Sequence, residues 1–473
     1  MDNESPIAPP GPQGDRRRRL ALGCLAGFMS LLCSGAALLF FLRTDNPPDG
    51  TATPIVVEAT QAPSVTSTVV IEGTVAIGTR FPGRIAFTDG GMLGTIGAAG
   101  EDLRLIGDGE ERAYQFPAWA PDGQRVAVLG SGDEGAGVYV LQDEVDGEAT
   151  ELYASENGAP IYIYWRPDGG AVSYIASGER AINLWLSPAD GEEEPLLLAE
   201  GQPLYWDWVD EDSRLFVHTG TPVTGAELSF VEIAGIGESE FDSSDPGFFQ
   251  APGVSSNGAH IAFAELDDDE RRLTVSNVEN GERQSTQHQG VVAMGWSPTE
   301  PTLAYISPRD GARRAFQNFY GPLRLLDAET GEVTLLVDET VLAFFWSPDG
   351  EKIAYFTPGL GEQMASARST IGTSIRGKVR RQSDDLRLSL SVVHVASGGS
   401  QHVVEFRPTN LFVRQFLPFF DQYALSHRLW SPDSTALVLP ILEDDRARIY
   451  VAAIGGGDVR HLTDGDMAFW SPR

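Results

Sequence analysis

Four polar side chains with different chemistry fall within residues 421–427. Asp421, Gln422, Tyr423 and His427 offer a carboxylate, an amide, a phenol and an imidazole. Such a density of polar groups in an apolar segment suits recognition of a ligand or a peptide. The alternative is a short amphipathic plug that covers a gap between structural units. Its apolar side would then be formed by four phenylalanines, namely Phe412, Phe416, Phe419 and Phe420.

A second group of candidate binding residues is basic. Residues 366–381 contain no acidic side chain, although the whole chain has a formal net charge of −33. The candidate binding residues in this stretch are Arg376, Lys378, Arg380 and Arg381. An acidic protein, an anionic lipid surface or a polyanionic wall polymer could dock on them. The alternative is a Ser/Gly-rich loop whose cations pair with the chain's own acidic residues.

Local motifs for catalysis or metal binding are missing from the sequence. No Gly-x-Ser-x-Gly pentapeptide occurs, and the seven histidines are scattered without a helical His pair. The acidic run Asp267–Glu270 lacks the alternating oxygen ligands and the glycine of a calcium loop, which favours a solvated hairpin tip. The sequence therefore predicts no catalytic residue, no metal and no cofactor. A site assembled from distant parts of the chain would escape such motif analysis.

The elements that position these side chains form a repeat. Trp119-Ala120-Pro121-Asp122-Gly123 precedes an apolar strand pattern, and the same order recurs along the chain. A period of roughly 45 residues is typical of four-stranded propeller blades. Pro-Asp-Gly suits a tight turn, and a tryptophan at the same place in each unit is best explained by packing between sheets. The unit starts are Trp119, Trp165, Trp208, Val254, Trp296, Trp346, Trp430 and Trp470.

The two ends of the repeat region predict a closed ring. The chain ends on a tryptophan strand at Trp470, whereas the domain begins at Gly83–Phe87 with the strand that normally follows a tryptophan. Each end supplies what the other lacks, so the last strand should complete the first blade. The predicted fold is an all-β, closed propeller of four-stranded blades, with eight blades favoured and seven possible. The 84-residue interval between Trp346 and Trp430 leaves room for a further blade.

These repeats resemble the TolB-like, WD40-like "PD40" propeller family over about residues 83–473. The resemblance rests on the Trp-Ser-Pro-Asp-Gly motif, as at Trp346–Gly350, and on the strands of the Ile-Ala-Phe type that follow it. It implies an extracytoplasmic propeller that acts as a protein-binding scaffold or, in other members, accompanies a peptidase domain. The ring leaves no room for such a domain, because the repeats continue to Arg473.

The N-terminal region predicts a membrane anchor. Arg16–Arg19 precede Leu20–Leu42, a stretch without any charged residue that is long enough to span a bilayer. The positive-inside rule then places residues 1–19 in the cytoplasm as a basic tail and exports the rest. A cleaved signal peptide and a lipoprotein are the alternatives. Residues 43–82 are rich in Thr, Ser and Pro and predict a stalk, followed by the propeller at 83–473 with an insertion at 358–385.

The net charge argues against nucleic acid as a partner, since binding it requires a surplus of cations. We therefore expect a single-pass, membrane-anchored and extracytoplasmic propeller that serves as a non-catalytic scaffold for an envelope or membrane protein, or for a wall polymer. The alternative is a propeller enzyme, carbohydrate-active or similar, with a site at the mouth of the channel.

Overall fold

The computed structural model describes residues 81–473 except 108, 146, 210–212, 235–236, 242–244, 268–269, 310–318, 360–385 and 457–458. The predicted tail, the membrane helix and the stalk up to residue 80 lie outside the described residues. The same holds for Arg376, Lys378, Arg380 and Arg381 in the insertion. Within the part that is described, no helix has the length and apolar character needed to cross a bilayer.

Eight antiparallel sheets follow one another along the chain as the blades of a propeller, which confirms the predicted fold and the favoured blade number. Blade 1 contains β1 (Arg84–Asp89), β2 (Met92–Gly97) and β3 (Arg104–Gly107). Blade 2 contains β4 (Arg112–Trp119), β5 (Arg125–Gly132), β6 (Gly135–Gln142) and β7 (Thr150–Ser155). Blade 3 contains β8 (Pro160–Trp165), β9 (Ala171–Ser177), β10 (Ile182–Pro188) and β11 (Leu196–Gly201). Blade 4 contains β12 (Leu204–Trp208), β13 (Arg214–Thr219), β14 (Glu227–Glu232) and β15 (Gly237–Glu240).

The second half of the ring repeats this order. Blade 5 contains β16 (Gly253–Val254), β17 (His260–Asp267), β18 (Glu270–Asn277) and β19 (Arg283–Gln287). Blade 6 contains β20 (Ala293–Trp296), β21 (Thr302–Ile306), β22 (Gly321–Asp327) and β23 (Val333–Val341). Blade 7 contains β24 (Ala343–Trp346), β25 (Lys352–Pro358), β26 (Leu388–His394) and β27 (Ser400–Phe406). Blade 8 contains β28 (Ala436–Glu443), β29 (Arg446–Ala453) and β30 (Val459–Asp464), and the chain ends with β31 (Met467–Trp470).

Blade 8 has a reduced innermost strand. A single antiparallel bridge joins Trp430 to Leu437 of β28, where the other blades have a strand. Among the described residues between Trp346 and Trp430 there is no sheet beyond blade 7, so the 84-residue interval adds no ninth blade there. A short helical segment occupies part of that interval instead.

The C-terminal strand closes the ring, as the sequence predicted. β31 pairs antiparallel with β1, with Ile85 opposite Trp470 and Thr88 opposite Met467. Blade 1 therefore has its innermost strand from the end of the chain and its outer three strands from the beginning. β31 thereby covers the edge of β1 that would otherwise face the channel.

The second strand of each blade has an apolar central run because both of its faces are covered by neighbouring blades. In β25, Ile353 and Ala354 are fully buried and Tyr355 is 2% exposed. This explains why the sequence shows runs such as Ile-Ala-Tyr rather than strict alternation, which belongs to sheets with one wet face.

The repeat tryptophans join successive innermost strands. In four blades the indole Nε1–H donates to a carbonyl of the preceding blade, one residue before that blade's own tryptophan. These bonds run from Trp119 to Phe469 (3.2 Å), from Trp165 to Ala118 (2.9 Å), from Trp346 to Gly295 (3.0 Å) and from Trp430 to Phe345 (3.0 Å). Each indole thus fills space between two sheets and satisfies its own N–H group there.

Pro-Asp-Gly turns follow the innermost strands at one end of the ring. Gly123 has φ +68° and Gly350 has φ +71°, a region that disfavours residues with a Cβ. Asp122 accepts a hydrogen bond from the Gln124 amide at 2.8 Å, which is the local bond expected of an Asp in a turn. We call this end the turn face. Because strands alternate in direction, the connections from the second to the third strand, and those from blade to blade, lie at the opposite end, the loop face.

Candidate functional site

A helical segment, residues 411–427, fills the loop-face end of the central channel, and we call it the channel plug. It contains a π-helical turn (Phe412–Phe416), a 3₁₀ turn (Leu417–Phe419) and the helix α1 (Phe420–Ser426). Helix α1 contacts the innermost strands β8, β12, β20 and β24, which belong to blades 3, 4, 6 and 7. A short helix can touch blades on opposite sides of the ring only if it lies near the axis.

The sequence of the plug explains its changes of helix type. Pro418 stands at the beginning of the 3₁₀ turn. Because proline has no N–H group and crowds the preceding turn, a regular α-helix cannot continue through it. The result is a compact, bent segment rather than one straight helix.

Phenylalanines hold the plug against the ring. The Phe416 ring stacks on Phe345 of blade 7 with centroids 5.6 Å apart, and it also contacts Phe469 of blade 1 at 5.5 Å. Phe420 meets Phe319 of blade 6 at 5.5 Å. Phe412, Phe416 and Phe420 are at most 1% exposed, so these contacts belong to the core.

The four polar candidates of this segment come together inside the channel and are all buried. Asp421, Gln422, Tyr423 and His427 are 2%, 4%, 2% and 1% exposed. The structure therefore places them in the plug's contact with the blades. It does not place them on an open rim.

Asp421 and Gln422 bond to the backbone of blades 4 and 5. Gln422 Nε2 donates to the Trp206 carbonyl at 3.1 Å, and the Trp206 amide donates back to Gln422 Oε1 at 3.4 Å. Asp421 accepts from the Ala251 amide at 3.4 Å and from the Gln422 amide at 3.0 Å. These bonds give the plug a fixed orientation because they satisfy backbone groups that the innermost strands leave unpaired.

His427 bonds at the other end of α1. Its Nδ1 lies 2.6 Å from Ser426 Oγ, and its Nε2 lies 3.4 Å from the carbonyl of Phe116 in blade 2. The Tyr162 hydroxyl donates to the Gln422 carbonyl at 2.8 Å, which ties blade 3 to the same helix. With the contacts described above, the plug touches blades 1 to 7, and its C-terminal end continues into blade 8.

Burial changes the protonation of these groups in opposite directions. It raises the pKa of Asp421 to about 7 and lowers the pKa of His427 to about 3. Burial also raises the pKa of Asp207, a neighbouring acid in β12, to about 7, although Asp207 accepts bonds from the Val254 and Trp208 amides, both at 2.9 Å. A perturbed pKa of this kind accompanies catalytic sites, but here it follows from packing within the fold.

Arg428 is a residue that the sequence analysis did not single out. It follows the plug and points into a cavity of about 200 Å³ at the turn-face end of the channel. Its only sequence signal is its place two residues before the repeat tryptophan Trp430, where no other blade has an arginine or a lysine.

The other sequence candidates fall elsewhere. The flanks of the 358–385 insertion lie at the loop face, where Pro358 pairs with Leu388, while its basic residues lie outside the described residues. Arg272 contacts both Asp267 (3.1 Å) and Glu270 (3.0 Å), the two described ends of the acidic run. Within the described part of the chain, no group of three His, Cys, Asp or Glu side chains has the arrangement of a metal site.

The chain matches known proteins only by fold. No protein-family model matches the sequence, and no curated protein does. Similar solved structures include the β-propeller domain of the trilobed protease from Pyrococcus furiosus, with 11% identity, 76% of this chain and 100% of that chain covered, and a TM-score of 0.43. An oligogalacturonate lyase from Vibrio parahaemolyticus has 11% identity, 80% and 84% coverage, and a TM-score of 0.41.

TolB from Acinetobacter baumannii is similar at 13% identity, with 74% of this chain and 82% of that chain covered and a TM-score of 0.34. These structural neighbours therefore include TolB and other propellers of its kind. At such identities the similarity concerns the propeller fold alone.

Proposed function

We propose that this chain is a non-catalytic binding scaffold whose recognition surface is the loop face of the propeller. The observation that carries the proposal is where the regular repeat is interrupted. The plug lies at that face, and so do the strand ends on either side of the β21–β22 and β25–β26 connections, which are Ile306 with Gly321 and Pro358 with Leu388. Binding residues in proteins are concentrated in irregular loops that a rigid scaffold presents.

The internal use of the plug's polar groups supports binding rather than catalysis at this end of the channel. Asp421, Gln422 and His427 are buried, and their polar atoms bond to the blades. A substrate would have to replace these bonds before it could use the groups, at a cost of about 1–3 kcal/mol for each buried partner left unpaired.

The charge of the insertion supports an acidic partner. Residues 366–381 carry five basic and no acidic side chains in a chain of net charge −33. The basic side chains of this stretch would attract an acidic envelope protein or a wall polymer, whereas the acidic remainder of the chain would repel it. This difference would fix the orientation of the bound partner. We further propose that Leu20–Leu42 anchors the chain and that the propeller lies outside the cytoplasm.

A comparison of two double variants tests the recognition surface. The full-length chain would be used to capture partners from detergent-solubilised membranes. Arg380→Gln with Arg381→Gln should reduce the yield of the captured partner, and added salt should reduce capture by the parent. The matched control, Arg166→Gln with Lys352→Gln, removes two cations of the turn face and should leave the yield unchanged.

Equal capture by both double variants would contradict the proposed surface.

The anchor has its own test, in which deletion of residues 20–42 should move the chain from the membrane fraction to the soluble fraction. Retention in the membrane fraction after this deletion would contradict the anchor. Cleavage of a carbohydrate polymer by the purified chain would favour the enzyme alternative over the scaffold.

A further inference from the structure

The cavity at Arg428 lies at the opposite end of the channel from the plug's entry. The walls of the cavity include Trp119, Trp165 and Trp470, which are the last residues of β4, β8 and β31. The cavity therefore lies at the end of the channel towards which the innermost strands run. The end of helix α1, at Leu425 and Ser426, forms its inner boundary. The cavity is therefore a recess between the plug and the turn face.

Arg428 brings a positive charge into this recess, and none of the described residues serves as its counterion. In the described part of the chain, no carboxylate lies within ion-pair distance of the Arg428 guanidinium, and the guanidinium forms no hydrogen bond. Arg428 is an exposed residue whose side chain faces the cavity. The protein around it still removes enough water from the guanidinium to lower its pKa from the ordinary value. An arginine remains charged under such conditions, and its five donors stay available.

The backbone of Arg428 fixes where that charge lies. Its carbonyl accepts a hydrogen bond of 2.8 Å from the Trp470 amide, which joins the reduced inner strand of blade 8 to β31. The Arg428 side chain therefore projects from backbone that is bonded to the ring-closing strand β31.

The remaining walls are largely aromatic. Tyr164, Phe469 and the three tryptophans give flat surfaces, and of the described residues that line the cavity Arg428 alone is cationic. The Tyr164 hydroxyl donates to Asp207 Oδ1 at 3.2 Å, so its oxygen is directed by that acid and contributes no charge of its own. A ligand that fits must combine one negative charge with an apolar body.

We propose that this cavity binds a small organic carboxylate, with the carboxylate on Arg428 and the apolar body against the aromatic walls. A planar guanidinium matches the two oxygens of a carboxylate. A phosphate dianion would need more than one cation in a site so poor in donors. Since the cavity is at the turn-face end, this inference does not depend on the proposed recognition surface of the loop face.

Calorimetric titration of the full-length chain in detergent tests the proposal with benzoate as the probe. Benzamide has the same ring without the charge, and inorganic phosphate has the charge without the ring. We expect saturable binding of benzoate, with benzamide and phosphate each weaker by at least about tenfold, because only benzoate satisfies both the guanidinium and the aromatic walls. This comparison needs no variant and is independent of any effect on folding.

The variants assign the binding to Arg428. Arg428→Gln should weaken benzoate by at least about tenfold and abolish the preference over benzamide. Arg446→Gln, which removes an exposed arginine at the β28–β29 hairpin, should bind benzoate like the parent. Equal binding of benzoate and benzamide, tighter binding of phosphate, no saturable binding of benzoate, or unchanged binding by Arg428→Gln would each overturn the proposal.

Discussion

Tyr423 combines a well-packed ring with a buried hydroxyl that is poorly hydrogen-bonded. Its ring lies 5.1 Å from Phe116 and 5.3 Å from Tyr162, measured between centroids. The hydroxyl is buried beside the Gln415 side chain, but it forms no hydrogen bond of regular geometry in the described part of the chain. A buried polar group without a partner reduces the free energy of unfolding by about 1–3 kcal/mol.

We therefore expect Tyr423→Phe to leave the free energy of unfolding unchanged or to raise it by about 1 kcal/mol, measured by urea unfolding. Tyr423→Ala removes the ring as well and should lower it by about 3–5 kcal/mol. A large loss of stability in the phenylalanine variant would contradict the idea that the hydroxyl serves no internal bond.

Asp421 should make the stability of the propeller depend on pH. Its pKa is about 7 in the folded chain, against about 4 when unfolded, so the folded state binds more protons between these values. The stabilisation that comes from the protonated form is complete below pH 4 and is lost as the pH rises through 7.

In Asp421→Asn this dependence disappears. Between pH 4 and pH 8 the parent loses this stabilisation and the variant does not. The free energy of unfolding of Asp421→Asn, measured relative to that of the parent, should therefore rise by up to about 4 kcal/mol over this range. The titration of His427 occurs in both proteins and cancels in the difference. A difference that stays constant over this range would show that Asp421 does not titrate in this way.

At the scale of elements, the 358–385 insertion and the plug differ in what they contribute. The insertion joins two strands that are already paired at its base, where the Gly359 amide donates to the Arg387 carbonyl at 2.9 Å. The plug bonds to the backbone of several blades and buries phenylalanines. The fold should depend on the plug and tolerate the loss of the insertion.

Replacement of residues 360–385 by a short Gly-Ser turn should change the free energy of unfolding by about 1 kcal/mol or less, because loop-closure entropy varies slowly with length. Gln422→Ala is the comparison within the plug, since it leaves the buried Trp206 amide and carbonyl unpaired. It should cost about 1–3 kcal/mol. Thermal melts of both variants check the contrast, and a larger loss from the loop replacement would reverse the assignment.

At the scale of the whole molecule, ring closure through β31 should control stability. Trp470 is fully buried and pairs with Ile85 of β1. Trp470→Ala should cost about 3–5 kcal/mol, and deletion of residues 468–473 should destabilise the whole ring because it opens a sheet edge and two blade interfaces.

Trp185→Ala is a suitable control because Trp185 lies on β10, away from the closing pair, and is only partly buried. Its cost should be clearly smaller in the same melting experiment. If the truncated chain melted like the parent, closure by β31 would not matter for stability.

The sequence alone determined the propeller fold and the strand that closes it, and it favoured eight blades over seven. Each copy places a tryptophan or its equivalent, a turn and an apolar strand within a few residues, and the complete Trp-x-Pro-Asp-Gly form occurs at Trp119, Trp165 and Trp346. Local packing and turn chemistry are encoded next to each other in the chain, so they can be read without coordinates.

Only the tertiary structure decided what residues 411–428 do. Gln422 bonds to Trp206 and His427 to Phe116, across 216 and 311 positions of the chain. Whether a carboxylate or an imidazole is an open ligand-binding group or an internal bond depends on such distant contacts, which leave no local pattern. The sequence gives no sign of Arg428 for the same reason. Within the described part of the channel no anion pairs with its guanidinium, and its surroundings come from blades at both ends of the sequence.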